Sequence, residues 1–131
     1  MKEVTVMTKS AYVSGIGKFS ALLMHNEHEK MIQRSVTLTT NQRIALQAVI
    51  ESLSALNQPC VVEIVTNNDY VVSGINKYLA IWKKSGWKRS NGQELANRDL
   101  WQAISALTEK HKVMARKAPA HPRLVDLVQS S

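Results

Sequence analysis

The segment 70–101 combines aromatic side chains with cations. It contains all three tryptophans, two of the three tyrosines and three of the five glycines. Between Tyr70 and Arg98 it carries one acid, Glu94, and six cations: Lys77, Lys83, Lys84, Lys88, Arg89 and Arg98. Aromatic rings stack on flat bases while lysine and arginine contact phosphates, so the pattern favours a nucleic-acid surface. A pair of helices with buried tryptophans and solvated lysines fits the composition equally well.

The overall charge agrees with an anionic partner. The chain of 131 residues has a formal net charge of +7 and a pI near 9.8, which favours fast, salt-sensitive association with polyanions. Its length predicts one domain covering residues 1–131. No apolar run is long enough to cross a membrane and no N-terminal signal is visible. We therefore expect no membrane partner.

Few other residues are arranged for chemistry. His25 and His28, with Glu27 and Glu29, resemble a metal cluster only superficially, because they are expected at a hairpin tip where solvated polar residues are common. The single cysteine, Cys60, excludes an internal disulfide and is expected to be a small core or strand-edge residue in a cytoplasmic protein. No Ser–His–Asp arrangement and no phosphate-binding glycine loop is readable. We predict no metal site.

Hydrophobic periodicity and turn signals predict an α/β domain with the order βββαβαβα. The predicted strands cover residues 4–8, 19–24, 31–38, 61–65 and 112–116. The predicted helices begin at Thr40, at Asn67 or Asn68 and at Asn97, and a short one covers 124–128. An antiparallel start joined to βαβ crossovers implies a five-stranded mixed sheet flanked by helices.

The spaced pattern of segment 70–101 resembles the bacterial type of ribonuclease H. The matching groups are Tyr70-Val71, Gly74-Ile75, Trp82-Lys83-Lys84, Gly86-Trp87-Lys88 and Asp99-Leu100-Trp101. The resemblance covers nearly the whole chain and implies the ribonuclease H-like fold. It also implies that residues of about 81–97 form a basic protrusion that grips the DNA strand of an RNA–DNA hybrid.

The same resemblance implies a changed active site. Family members cut RNA with magnesium ions held by carboxylates. Where the family has Thr-Asp-Gly-Ser, this chain has Thr8-Lys9-Ser10-Ala11, so Lys9 stands at the central aspartate. Ala45 stands at the glutamate of the first helix, and Asn67 stands at the aspartate after the fourth strand. The resemblance therefore leaves no intact catalytic carboxylate at these positions.

The C-terminal part of the family site is altered as well. Ala118 takes the position of the catalytic histidine, and His121 matches a second, non-catalytic histidine. Asp126 matches the fourth carboxylate if two residues are deleted before it. One remaining carboxylate cannot hold two magnesium ions, so no cofactor is expected unless an active, magnesium-dependent site exists in rearranged form.

Positions that bind the substrate in the family are better retained. We expect nucleic-acid contacts from the following residues: Lys9, Thr40, Asn41, Arg43, Tyr70, Tyr78, Lys83, Lys84, Lys88 and Arg89. Thr40 and Asn41 begin a helix whose N-terminus attracts anions, and the ammonium of Lys9 can meet phosphate directly. Trp82, Trp87 and Trp101 are expected mainly to pack the protein. A vacant site in which Lys9 points to solvent is the alternative.

Three functions follow from these residues. The leading hypothesis is a catalytically inactive ribonuclease H-like protein that binds a duplex, an RNA–DNA hybrid or double-stranded DNA. The alternatives are an active ribonuclease H with a rearranged site and a protein-interaction module. Duplex binding without magnesium would favour the first function, and magnesium-dependent cleavage would establish the second. The absence of both would favour the third.

Overall fold

One mixed sheet organises the protein. The computed structural model describes residues 1–129, with side chains described through Val125. The sheet has the strand order β3-β2-β1-β4-β5. Its strands are β1 (Lys2–Val13), β2 (Ile16–His25), β3 (His28–Val36), β4 (Cys60–Thr66) and β5 (Lys112–Lys117). The first three strands pair antiparallel, whereas β4 runs parallel to both β1 and β5, as the sequence predicts.

Five helices flank this sheet. They are α1 (Asn41–Ser54), α2 (Asp69–Ser73), α3 (Leu79–Lys84), α4 (Arg98–Lys110) and α5 (Pro122–Gln129). The predicted helix starts are confirmed at Thr40 and Asn68, whose side chains accept hydrogen bonds from Arg43 N and Val71 N, both at 3.1 Å. No helix in the part of the chain that the structure describes is long and apolar enough to span a membrane.

The two faces of the sheet are covered unequally. In β2, Phe19, Ala21 and Leu23 belong to the main core beneath α1. The alternate residue Leu22 faces the other side, where it is buried as α5 packs over β1 and β2. Since side chains alternate between faces along a strand, Lys9 lies on the face of α5 and Thr8 on the face of α1.

The sequence pattern predicts that Leu38 belongs to the third strand, but this prediction is wrong. β3 ends at Val36, and Leu38 is 98 % exposed with a left-handed φ of 54°. The apolar alternation of Ile32, Val36 and Leu38 is misleading here because the chain leaves the sheet before it reaches Leu38. The first two strands are also longer than predicted and meet in a tight turn at Ser14 and Gly15, both of which have positive φ.

The helix after β4 contains a π-helical turn. The turn covers Gly74–Tyr78 and separates α2 from α3. A Cβ atom on Gly74 would collide with the indole of Trp101, so only glycine lets α4 approach this closely. On the other side of the turn, the Asn76 amide donates to Ala115 O at 2.7 Å and accepts from Ala115 N at 2.9 Å. The turn thereby contacts both α4 and β5.

A buried histidine joins the starts of β4 and β5. Cys60 and His111 are almost fully buried, 1 % and 2 % exposed, and Cys60 N donates to His111 Nδ1 at 3.1 Å. The core position expected for Cys60 is thus confirmed. Burial, reinforced by the neighbouring Lys110, lowers the pKa of His111 below its ordinary value. The folded protein therefore keeps this imidazole neutral at pH values where an exposed histidine is protonated.

We predict an acid-sensitive component of stability from His111. Below about pH 6.5 the unfolded chain binds a proton that the folded chain does not. The free energy of unfolding therefore decreases as the pH is lowered, by at most about 1.4 kcal/mol per pH unit. His111→Asn keeps an acceptor for Cys60 N and removes this titration. As a control, the difference between the free energies of unfolding of the two proteins, measured in urea, should stay constant between about pH 7.5 and 8.5. Below about pH 6.5 the free energy of unfolding of the wild type should fall relative to that of His111→Asn. A difference that stays constant over the whole pH range would contradict the prediction.

Candidate nucleic-acid interface

Three separate segments form a small polar pocket beside the end of β4. It has a volume of about 180 Å³. Its lining residues are Thr8, Lys9, Ser10, Asn41, Thr66, Asn67 and Asn68. The pocket exists because β1 continues beyond its pairing with β4, which ends at Met7 and Val65, while the N-terminus of α1 lies across the gap. We call it the Lys9 pocket.

The Lys9 pocket contains two of the positions that the family resemblance marks as catalytic, and a third lies beside it. Lys9 and Asn67 line it, and Ala118 lies beside it, since Ala118 N donates to Thr66 O at 3.1 Å. Ala45 lies in α1 and is buried at 5 % exposure. The side chain of Asp126 lies outside the described residues. Residues far apart in sequence are thus brought to one place.

The chemistry of the Lys9 pocket suits an anion. Its lining offers one ammonium, hydroxyls and amides, and among the described side chains it offers no carboxylate. The N-terminus of α1, a helix of 14 residues, adds partial positive charge. The nearby carboxylate of Asp69 is paired with Lys117 at 3.0 Å. These residues do not fit magnesium, which is held through carboxylates, and no cluster of three metal-ligating side chains occurs in the described part of the chain.

A larger groove runs between the helix that follows β4 and the basic segment. Its volume is about 640 Å³. Its lining is aromatic and apolar at Tyr70, Tyr78, Ile81, Trp82 and Leu95, and cationic at Lys88 and Arg89. We call it the aromatic groove. Within it the rings of Tyr78 and Trp82 stack at 5.6 Å with an angle of 20°, and Tyr78 is 38 % exposed.

The expected cations of the basic segment have different surroundings. Lys88 and Arg89 face the aromatic groove, and Lys88 also pairs through its backbone with Glu94. Lys83 instead contacts Glu109 at 3.2 Å, so part of its charge is already balanced. Lys84 is exposed at the end of α3. Of the four, Lys88 and Arg89 are best placed to act on a molecule in the groove.

A hydrogen-bond network fixes the wall of the aromatic groove. The Tyr70 hydroxyl accepts from Trp101 Nε1 at 2.9 Å and from Asn97 Nδ2 at 3.0 Å. Asn97 precedes α4 in a left-handed conformation, φ 58°, and its side chain forms no cap. The predicted N-cap position of Asn97 is confirmed, but its side chain does not cap the helix, because the amide points into this network instead.

Arg43 belongs to the same network. Its two terminal nitrogens donate to the two carboxylate oxygens of Asp99, at 3.0 and 2.7 Å. The hydrogen bond from Arg43 is the main reason that the pKa of Asp99 lies below its ordinary value, and it raises the pKa of Arg43 in turn. Arg43 therefore joins α1 to α4, and much of the positive charge expected for phosphate binding is taken up by Asp99.

Sequence reasoning missed several residues of the two sites. Thr8 and Asn68 in the Lys9 pocket and Lys117 beside it carry no signal of their own, because their role depends on the meeting of distant segments. Asn97 is readable as a helix start but not as a partner of Tyr70. The alternation of β1 could have placed Lys9 and Thr8 on opposite faces.

A five-stranded mixed sheet with α1 across one face and a polar pocket beside β4 defines a ribonuclease H-like domain. The chain belongs to the RNase H family, whose model matches residues 1–126. It is 36 % identical over 114 residues to the ribonuclease H of Haemophilus influenzae (strain 86-028NP), covering 86 % of this chain and 74 % of that protein.

Solved structures agree with this assignment. LC9-RNase H1, described as a type 1 RNase H with the type 2 active-site motif, superposes with a TM-score of 0.79 at 26 % identity, over 92 % of this chain and 64 % of that chain. LC11-RNase H1, solved in complex with RNA/DNA hybrid, gives a TM-score of 0.69 at 14 % identity, over 98 % and 96 % of the two chains. The latter likeness shows the fold alone.

We predict that Tyr70→Phe destabilises the protein by about 1–3 kcal/mol, because it leaves the fully buried Trp101 N–H without its acceptor. Tyr78→Phe is the matched control, since the Tyr78 hydroxyl has no hydrogen-bond partner among the described residues, and should change stability by less than about 0.5 kcal/mol. Urea unfolding measures both. Equal stabilities of the two variants would show that the network contributes nothing.

Proposed function

We propose that this protein binds a nucleic-acid duplex, foremost an RNA–DNA hybrid, without cleaving it. The observation that supports the proposal is the composition of the Lys9 pocket, where the ammonium of Lys9 and the amide of Asn67 stand at two positions that the resemblance marks as metal-binding. A metal-dependent nuclease needs cations between acidic side chains and phosphate. An ammonium can contact phosphate with no cation in between.

The choice of ligand rests on kinship and on charge. Two relatives that are 36 % and 39 % identical to this chain over 114 and 115 residues are named ribonuclease H, and a protein of the same fold was solved with an RNA/DNA hybrid. The net charge of +7 favours any duplex. We therefore place hybrid first and double-stranded DNA second. A cytoplasmic setting and a single domain over 1–131 are part of the same proposal.

In this proposal, two surfaces contact the nucleic acid. The Lys9 pocket and the start of α1 at Thr40 and Asn41 hold phosphates, since the helix N-terminus adds to the charge of Lys9. The aromatic groove holds the backbone of one strand between the stacked rings of Tyr78 and Trp82 and the cations Lys88 and Arg89. Tyr70 and Arg43 act mainly by holding the groove wall in place.

We predict that Lys9 contributes to binding without magnesium. Lys9→Ala should weaken hybrid affinity, and Lys9→Asp should weaken it further, because it places an acid against phosphate. Loss of a charge-assisted contact of about 1.5–3 kcal/mol corresponds to roughly a tenfold to hundredfold change in affinity. Fluorescence anisotropy in EDTA measures the series. Lys2→Ala, which removes an exposed lysine outside the Lys9 pocket, is the control and should have a smaller effect.

A triple variant separates the competing functions. Lys9→Asp with Ala45→Glu and Asn67→Asp restores the family's acids, so magnesium should recover part of the lost affinity. Equal affinity of wild type, Lys9→Ala and Lys9→Asp would mean that the pocket is vacant. Magnesium-dependent hybrid cleavage by the wild type, retained through several purification steps and lost on Asp126→Asn, would establish an active ribonuclease H. An absence of binding to any duplex would leave the protein-interaction module.

The aromatic groove supports a separate prediction. Replacing Lys88 and Arg89 with alanine should weaken binding to all duplex sequences alike and reduce the slope of log K against log salt by roughly 1–2, because fewer counterions are released. Lys83→Ala is the matched control, since Lys83 is already paired with Glu109, and should have a smaller effect on the slope. An unchanged slope in the double variant would exclude the groove as the binding surface.

A further inference from the structure

The tip of the β1–β2 hairpin carries an exposed apolar cluster. Val13 and Ile16 form the last cross-strand pair before the turn and are 72 % and 47 % exposed. Tyr12, which precedes them, is 39 % exposed but points to the opposite face of the sheet and does not belong to the cluster. Leu38 joins the cluster because Thr39 N donates to Gly15 O at 3.1 Å, which fixes the neighbouring backbone against the turn. We call Val13, Ile16 and Leu38 the apolar tip.

The backbone of the apolar tip adopts unusual conformations. Ser14 and Gly15 both have positive φ, 50° and 82°, as in the tight type I′ turn that matches the twist of a hairpin. Leu38 is 98 % exposed in a left-handed conformation. A leucine in this position loses the benefit of burial and also costs about 1–2 kcal/mol of backbone strain. Strain of this kind persists where the surrounding structure enforces it, commonly at functional sites.

Cations and the Lys9 pocket adjoin the apolar tip. Val13 follows Lys9 by four residues on the same face of β1, which places it about 13 Å along the strand. Lys18 lies opposite Ala11 in the pairing of β1 with β2, on the same face as Val13 and Ile16. A polyanion seated on Lys9 and Lys18 would bring its interior against these apolar side chains. Charge and position together favour nucleic acid over a membrane or a protein as the partner.

We propose that the apolar tip is a wedge that enters the minor groove of the bound duplex and partly unstacks one base step. The inference rests on the proposed function and adds a preference to it. Apolar side chains that insert between base pairs pay for unstacking, and this cost is smaller where a mismatch has already weakened the stack. The protein then selects duplexes that contain a mismatch or another weakly stacked step.

The test compares a matched RNA–DNA hybrid with the same hybrid carrying one central mismatch. We expect the wild type to bind the mismatched hybrid about tenfold more tightly, equivalent to about 1.4 kcal/mol. A fluorescent base analogue beside the mismatch should brighten on binding as it unstacks. Both effects should disappear in the triple variant Val13→Ser, Ile16→Ser and Leu38→Asn. Its fold should persist because all three side chains are exposed and asparagine tolerates the left-handed conformation.

Matched controls separate this proposal from the proposed function. Met114→Ser removes an apolar side chain that is 42 % exposed on β5, away from the tip, and should keep the mismatch preference. Lys9→Ala should lower affinity for both hybrids and leave their ratio unchanged. A wild type that binds both hybrids equally, or a triple variant that keeps the preference, would overturn the wedge alone. A wild type that binds no duplex would overturn both proposals. If the variant Val13→Ser, Ile16→Ser and Leu38→Asn binds both hybrids as the wild type does but loses binding to anionic vesicles, the tip is a membrane contact and the wedge is overturned.

Discussion

The indole of Trp101 is the contact on which the aromatic groove depends. It is fully buried, lies against Gly74 where no Cβ could fit, and meets the rings of Tyr70 and Trp82 at 5.6 and 5.1 Å. Its N–H donates to Tyr70, which also receives the Asn97 amide. Because Asn97 and Asp99 in turn contact α1, one side chain fixes the relative positions of three helical segments. The groove therefore has a rigid wall before any ligand arrives.

Local signals in the sequence were enough to place most of the fold. The caps at Thr40 and Asn68 involve atoms three residues apart, so the information is contained in a few neighbouring positions. The parallel strand β4 is readable as a short apolar run, although Val61 and Glu63 on one of its faces are only half-buried. Leu38 and Asn97 show where this reasoning fails. For both residues the chain turns into a left-handed conformation that tertiary contacts impose, and no neighbouring glycine signals it.

The candidate site was only partly readable for a different reason. Family resemblance points to Lys9, Ala45 and Asn67, but it cannot show that Lys9 and Asn67 share a pocket with Thr8 and Asn68. Likewise, the ion pair between Arg43 and Asp99 joins residues 56 positions apart. A sequence pattern shows that Arg43 is a cation at the start of a helix. Only the packing of α4 against α1 shows that a carboxylate already occupies it.

The contact between Asn76 and β5 has a consequence for self-association. β5 is an outer strand, and its unpaired backbone groups could otherwise accept a strand from a second molecule. The Asn76 side chain forms hydrogen bonds with both the N–H and the carbonyl of Ala115. These two backbone groups are therefore not available to a strand of another molecule. Sheet extension between molecules is thereby restricted on this side, which leaves the opposite outer strand, β3, as the edge through which a second molecule could pair. The π-helical turn that carries Asn76 thus also covers part of an outer strand.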